Sequence, residues 1–300
     1  MRVRNIVLLS LGAWIGAAAL LYVIFGDDGK NEAFQPQEEF RLEPWIEIDI
    51  AGIDMSINRA VFYLLLAAAL TCFTMVWIAR KMADKPNKTQ MAVELAYDLT
   101  KNNITRGNLP DPKLVSRWFT FIATLFFFIW FSNMIGYLPL PTNTHETIDV
   151  FGLEIPSLAI YAATANISMP LVLTLVVWFS YNIEGVRKHG FIGYMKTLVP
   201  SGIPRFLVPM LFGIEIISHT VRIISLSVRL FANILAGHLL ILFMAGGLAV
   251  LLGLSALGVI TLAMAIPFFL FEVVIVATLQ AFIFATLTSI YIGGATAEGH

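Results

Sequence analysis

Residues 215–240 read EIISHTVRIISLSVRLFANILAGHLL. The stretch is apolar enough for a bilayer, yet it carries Glu215, His219, Arg222, Arg229, Asn233 and His238. A charge near the bilayer centre costs at least about 2.5–3.5 kcal/mol on insertion scales, so an intramembrane charge marks a functional site by default. Helical geometry turns the stretch into a pattern. With Arg229 set at zero and about 100° per residue, Arg222 falls at about +20°, Glu215 and Asn233 at about +40°, Ser218 at about −20° and Ser225 at about −40°. Together they form one polar stripe roughly five turns long, facing a partner or a pathway. His238 falls at about 180°, on the opposite face. His219 lies about 80° off the stripe, where a satisfied structural histidine is expected. Glu215 and Arg222, two turns apart, are also spaced to form an ion pair along the helix.

The surroundings agree with a membrane setting. The chain has 300 residues, of which 58% are hydrophobic and only 13% charged. That composition excludes an ordinary soluble domain and points to several membrane spans. The net charge of −1 says little, because the charges are segregated into loops. Cys72 is the only cysteine and lies in an apolar run, so no disulfide framework or cysteine metal site is available. It reads as a small buried hydrophobe.

Residues 5–25 form an apolar run long enough to cross a bilayer, read either as an anchor or as a signal-like segment. An acidic segment follows, 26–56. Further spans are expected at about 61–78, 118–138 and 164–181, the last kinked by Pro170. Between the first two of these, Met91, Leu95 and Leu99 repeat every four residues beside Ala92 and Ala96. They predict a short helix with one apolar stripe, lying on the membrane surface or on a partner, with Asn87 and Gln90 as a capping pair. Lys and Arg cluster at the N-terminus, at 80–117 and at 185–205, whereas the segments 26–56 and 140–162 are acidic. The positive-inside rule makes the basic segments cytoplasmic and the acidic ones external, alternating correctly through the first four spans.

The last third has an unusual length. A helix over 207–250 is about 65 Å long, against a hydrocarbon core of about 30 Å. The run 255–292 is nearly as long and is interrupted only by Pro267. Turn signals are confined to Gly246, Gly247 and Gly253, so two long tilted helices are expected rather than four short ones. The predicted fold is an all-α polytopic integral membrane protein. It has five to six membrane helices, including a long tilted C-terminal helical hairpin at about 206–293. Residues 1–56 supply the N-terminal helix and the acidic external segment, and 57–300 the membrane domain.

Other function classes fit less well. A membrane-embedded zinc enzyme would use His219 and His238 with Glu215 or Glu272, but the histidines lie 19 residues apart on different faces. Neither an HExxH motif nor a GxSxG elbow is present. A solo transporter would show internal repeats and paired broken helices, and the sequence shows no repeat. A channel complete in one chain would need a second carboxylate to carry protons past Arg229, and that group is expected on a partner.

The residues carry a resemblance. The string SLSVRLFANILAGHLL at Ser225–Leu240, with EIIS at Glu215–Ser218, resembles the signature of subunit a of F-type ATP synthases. Asn133-Met-Ile-Gly136 before Pro139, and LQAFIFATLTSIYI at Leu279–Ile292, resemble it too. The resemblance covers the chain from about residue 55. It implies a non-catalytic stator subunit with two aqueous half-channels, bearing no cofactor and no metal. The partners it implies are the c-subunit ring, the peripheral-stalk b subunits, the remainder of the ATP synthase and the lipid bilayer, with no nucleic acid. The implied location is the bacterial plasma (inner) membrane, with the C-terminus cytoplasmic.

Site residues follow from the same resemblance. Arg229 matches the essential arginine that faces the ring carboxylates. Asn233 matches a polar position one turn beyond it, and Gln280 a glutamine facing it from the last helix. His238 matches an access-channel position, and Glu215 a carboxylate near the cytoplasmic half-channel. The usual complement of His238 is a glutamate seven residues before Gln280. Val273 stands there, and Glu272 is one residue earlier. Arg222, Ser218, Ser225 and His219 are supporting candidates. Ile223 replaces a common proline, and Asn166 and Ser168 stand where an aspartate and an asparagine are common.

Overall fold

The computed structural model describes residues 42, 44–50, 53–54, 56–81, 87–138, 147–150, 153–156, 161–198, 204, 206–244 and 255–297. The first apolar run, 5–25, and the turn of the C-terminal hairpin, with Gly246, Gly247 and Gly253, lie outside them. Among the described residues, five helices are long and apolar enough to cross a membrane: Arg59–Arg80, Pro112–Gly136, Ser168–His189, Val208–Leu242 and Met264–Thr296. The protein is an all-α polytopic membrane protein, as its composition requires.

One compact unit comprises Pro44–Pro139, Ile160–Leu235 and Val276–His300. It begins with short strands, which the helical periodicity did not announce. Strand β1 (Pro44–Ile46) pairs antiparallel with β4 (Ile57–Asn58), and β2 (Asp49–Ile50) pairs with β3 (Ile53–Asp54) inside it. Helix α1 (Arg59–Lys81) follows directly. Cys72 and Phe73 are exposed on it, so Cys72 is not the buried hydrophobe its apolar neighbours suggested. On a helix bathed in lipid, an apolar neighbourhood does not mean burial in protein.

Helix α2 (Lys88–Asp98) has its apolar stripe where expected, and Met91 and Leu95 are exposed. The expected capping pair does not form. Asn87 occupies the N-cap without a side-chain bond, and Gln90 instead donates to Glu94 Oε1 at 2.6 Å. A π-helical segment, Leu99–Arg106, follows, in which Thr105 Oγ1 donates five residues back to the Thr100 carbonyl at 2.7 Å. Helix α3 (Pro112–Gly136) starts with favourable chemistry: Pro112 needs no N–H partner, and Asp111 accepts from the Lys113 N–H at 2.9 Å.

Helix α4 (Ser168–His189) begins four residues later than its apolar run, after a single turn at Ala163–Ala165. Pro170 therefore sits in the first helical turn, where its missing N–H costs no internal bond, and not in the interior of the span where it was expected. The helix ends in Arg187, Lys188 and His189 at Gly190, whose φ of 71° favours glycine. The short helix α5 (Phe191–Thr197) then turns back, followed by α6 (Val208–Leu242). At 35 residues, α6 is about 52 Å long, longer than a membrane core. It is one helix, not two short spans.

Helix α8 (Ala277–Thr296) is the centre of this unit, preceded in the chain by α7 (Ser255–Phe271) and a π-helical segment, Glu272–Val276. Its buried side is built from small residues, including Ala277, Ala281, Ala285, Ser289 and Gly293. Lipid tails compete with apolar side chains, so close backbone approach through small residues is what drives association here. Ile122 and Ile129 of α3, Val177 of α4 and Leu226, Leu230 and Ile234 of α6 complete the core. Polar ties cross it. Asn133 donates to the Ala277 carbonyl at 3.3 Å, Thr164 donates to Asn133 at 2.8 Å, and Trp130 Nε1 donates to Thr278 at 3.1 Å.

The ends of these helices are also joined. Arg117, near the start of α3, lies 2.6 Å from the buried Glu184 near the end of α4, and Arg187 lies 3.8 Å from the same carboxylate. Lys188 Nζ donates to the Thr296 carbonyl at the end of α8 at 2.6 Å. The start of α3 and the ends of α4 and α8 therefore share one end of the unit, as the alternating topology requires.

The other compact unit comprises Met1–Glu43, Leu140–Ala159 and Ala236–Ile275. In it, β5 (Thr147–Val150) pairs antiparallel with β6 (Leu153–Pro156). The acidic segment 140–162, expected to be a loop, thus contains a hairpin.

Candidate functional site

On α6, burial divides the helix into faces. Leu226, Ser227, Leu230 and Ile234 are buried, and their mean direction lies about 115° from Arg229. Arg229 and Ser225 are exposed, while Ser218, Glu215, Arg222 and Asn233 are half-buried. The polar stripe therefore borders the packed face, with Arg229 and Ser225 looking out of the unit and the other members partly covered. Val221, Ile224 and Val228 are exposed around it. Among the described residues Arg229 has no ion-pair partner.

The lower stripe forms a cluster. Arg222 Nη2 lies 3.4 Å from Glu215 Oε1, so the ion pair that the spacing allowed is present. His219 Nε2 lies 3.6 Å from the same oxygen, and its Nδ1 lies 2.9 Å from the Tyr181 hydroxyl on α4. The Arg222 guanidinium sits 5.3 Å from the centre of the Tyr291 ring on α8, and that ring lies 5.8 Å from the Tyr181 ring. Three helices thus meet through one carboxylate, one histidine, one arginine and two tyrosines.

Beside the cluster lies a cavity of about 470 Å³, whose wall includes Asn182, Arg187, Tyr194, His219 and Thr220. Tyr194 on α5 donates to Asn182 at 3.0 Å. Burial raises the Tyr194 phenol above its usual range; Arg222 opposes that shift and Glu215 adds to it. The phenol therefore stays protonated near neutrality and serves as a fixed donor. Gly185 makes room for it, since a Cβ there would lie 2.4 Å from the Tyr194 ring.

Higher on α6, Asn233 Nδ2 lies 3.5 Å from Gln280 Oε1 on α8, so the expected facing pair is brought together. Gln280 is buried, and its Nε2 has no acceptor among the described residues. An unsatisfied buried donor costs about 1–3 kcal/mol unless water or another group supplies an acceptor.

His238 and Glu272 belong to the other unit. His238 is half-buried on α6, and Glu272 is buried at the first position of the π-helical segment. Both have polar or electrostatic partners.

Sequence reasoning missed Tyr181, Tyr194 and Tyr291. Each reads as an ordinary aromatic in an apolar run, and helical periodicity relates residues on one helix, not across three. It also missed Glu184, whose position at the end of an apolar span beside Gly185 and before Arg187 was the one available signal.

This is a multi-pass helical membrane protein with ionisable side chains clustered inside its spans. The family model described as ATP synthase A chain matches residues 61–293, and the chain belongs to that family. It is similar to ATP synthase subunit a of Maricaulis maris, at 33% identity over 270 residues, covering 88% of this chain and 98% of that one. It is similar at 33% identity over 272 residues to the subunits of the same name from Brucella ovis and Brucella abortus, covering 89% of this chain and all of theirs.

Proposed function

We propose that this chain is the proton-translocating stator subunit of a rotary F-type ATP synthase. Arg229 faces the carboxylates of a c-subunit ring across the exposed stripe. Its guanidinium stays protonated even when poorly solvated, so it holds a passing carboxylate ionised and blocks direct proton flow between two half-channels. Glu215, with Arg222, Ser218, Ser225 and His219, lines the cytoplasmic half-channel. His238 and Glu272 line the external one, with Asn233 and Gln280 beside the arginine. A π-helical segment carries about one residue more than an α-helical turn, which an eight-residue spacing in place of seven calls for. The chain carries no catalytic residues of its own.

The observation that supports this reading is an exposed arginine on an apolar membrane helix, aligned with further polar residues and unpaired among the described residues. In lipid such a charge calls for a partner, and this reading places that partner on another chain. The remaining assignments are a membrane domain over 57–300 after an N-terminal segment 1–56, peripheral-stalk b subunits as further partners, and a bacterial plasma membrane with the C-terminus cytoplasmic.

The test is passive proton conduction in vesicles stripped of the catalytic head. Vesicles holding this chain together with the ring are expected to conduct. Vesicles holding the purified chain alone are expected to stay at the lipid background. Conduction by the chain alone at the level of the assembly contradicts the proposal and favours a self-contained channel or transporter.

A further inference from the structure

We propose that His219 is a proton-transfer group, passing protons between Glu215 and the cavity walled by α4, α5 and α6. The inference rests on the function proposed above and adds a route behind α6 for its cytoplasmic half-channel.

Three observations carry it. First, both ring nitrogens of His219 have polar neighbours: Nε2 lies 3.6 Å from Glu215 Oε1, and Nδ1 lies 2.9 Å from the Tyr181 hydroxyl. Second, His219 lines the cavity of about 470 Å³, together with Arg187, Asn182, Tyr194 and Thr220. It therefore lies beside the Glu215 carboxylate on one side and, on the other, beside a cavity whose wall is largely apolar but carries four further polar side chains able to hold water. Third, the cavity is lined by Arg187 in the basic last turn of α4, so it is at the end of the unit assigned to the cytoplasm.

The step balances as follows. Nδ1–H donates to the Tyr181 hydroxyl oxygen, which leaves the Nε2 lone pair facing Glu215. A proton arriving on the Glu215 carboxyl moves to Nε2: the O–H bond breaks, an N–H bond forms, and the carboxylate regains its pair with Arg222. The imidazolium then breaks the same Nε2–H bond, passing that proton to water in the cavity, and returns to the neutral Nδ1–H tautomer held by Tyr181. Tyr181 is a positioning residue that fixes the ring and its tautomer. The charged and titratable groups around His219 are Glu215 and Arg222 on α6, Tyr181 and Arg187 on α4, Tyr194 on α5 and Tyr291 on α8.

The test uses the complete ATP synthase in inverted vesicles, with ATP-driven membrane potential read by a voltage-sensitive dye. His219→Ala is expected to lower the rate about a hundredfold, the low end of what a positioned proton-transfer group supplies, with ATP hydrolysis by the head retained. Added imidazole is expected to restore the rate in this variant and to leave the wild type unchanged. His219→Gln, which keeps a hydrogen bond to Tyr181 but carries no proton, is expected to stay low. A wild-type rate in His219→Gln overturns the inference and leaves a structural histidine, as does a His219→Ala defect that imidazole does not relieve. Arg229→Ala, run alongside, separates the two levels. If it pumps normally, the underlying function fails; if it is silent while the His219 variants pump normally, only the relay fails.

Discussion

Arg229→Ala is expected to reduce ATP-driven proton pumping to the level seen without ATP, while the catalytic head of the complex continues to hydrolyse ATP. The expectation follows from where Arg229 sits. It is exposed on a 35-residue apolar helix and has no ion-pair partner among the described residues. Its neighbours Ile224 and Val228 are exposed and apolar. A charge kept there at a cost of at least about 2.5–3.5 kcal/mol is kept for what it does to another charge. On the proposed reading that charge is a ring carboxylate, and each proton it carries is worth about 2.3 kcal/mol per 100 mV. Without the guanidinium, the carboxylate has nothing to hold it ionised in an apolar interface, and protons pass between the half-channels without turning the ring. Pumping and hydrolysis are measured on the same vesicles, with assembly checked by the amount of the chain retained in the purified complex.

Gly293→Val is expected to remove the chain from the assembled complex almost completely. Gly293 lies on the small-residue side of α8, and a Cβ built there would sit 2.5 Å from the Asn108 carbonyl oxygen. That oxygen belongs to the backbone and cannot swing aside like a flexible side chain. The substitution must push α8 away from the turn after the Leu99–Arg106 segment. Overpacking costs about 1–3 kcal/mol even where side chains can adjust, and in lipid the close backbone approach is itself the source of association. The measurement is the amount of chain recovered with the complex after detergent extraction. Gly294→Val is the control, because a Cβ there meets nothing within 4 Å. Equal recovery of both variants contradicts the packing account.

Much of this was legible in the sequence because lipid imposes simple rules. Apolar length gave the spans, and Lys and Arg gave an alternation that agrees with the ion pairs joining Arg117 to Glu184 and with Lys188 at the Thr296 carbonyl. The angular count placed Arg229, Glu215 and Arg222 on one face, and burial on α6 respects that division. The same count failed where the chain departs from an α-helix. Glu272 begins a π-helical segment, so counting from Gln280 at 100° per residue does not apply to it. Pro170 was misread because the helix starts at Ser168 and not before it. Asn87 and Gln90 fit a capping pattern, but Glu94 offered Gln90 a charged acceptor one turn on. Cys72 was misread because burial in lipid and burial in protein look alike in a sequence. The Tyr181–His219 contact was out of reach, because nothing local says which faces of α4 and α6 meet.

The account's central claim is that the stripe on α6 faces a ring of carboxylate-bearing partners, and disulfide trapping in the intact complex tests it most directly. Cys72 is first replaced by serine, which removes the chain's only cysteine. Ser225→Cys, one turn from Arg229 and exposed, is then paired with a cysteine placed one turn from the ring carboxylate. Ser227→Cys, buried on the packed face at 2% exposure, is paired with the same ring cysteine as the comparison. Mild oxidation is predicted to yield a crosslinked band between the two subunits for Ser225→Cys and none for Ser227→Cys. A crosslink formed by Ser227→Cys but not by Ser225→Cys would place the ring against the opposite face and contradict the assignment of Arg229.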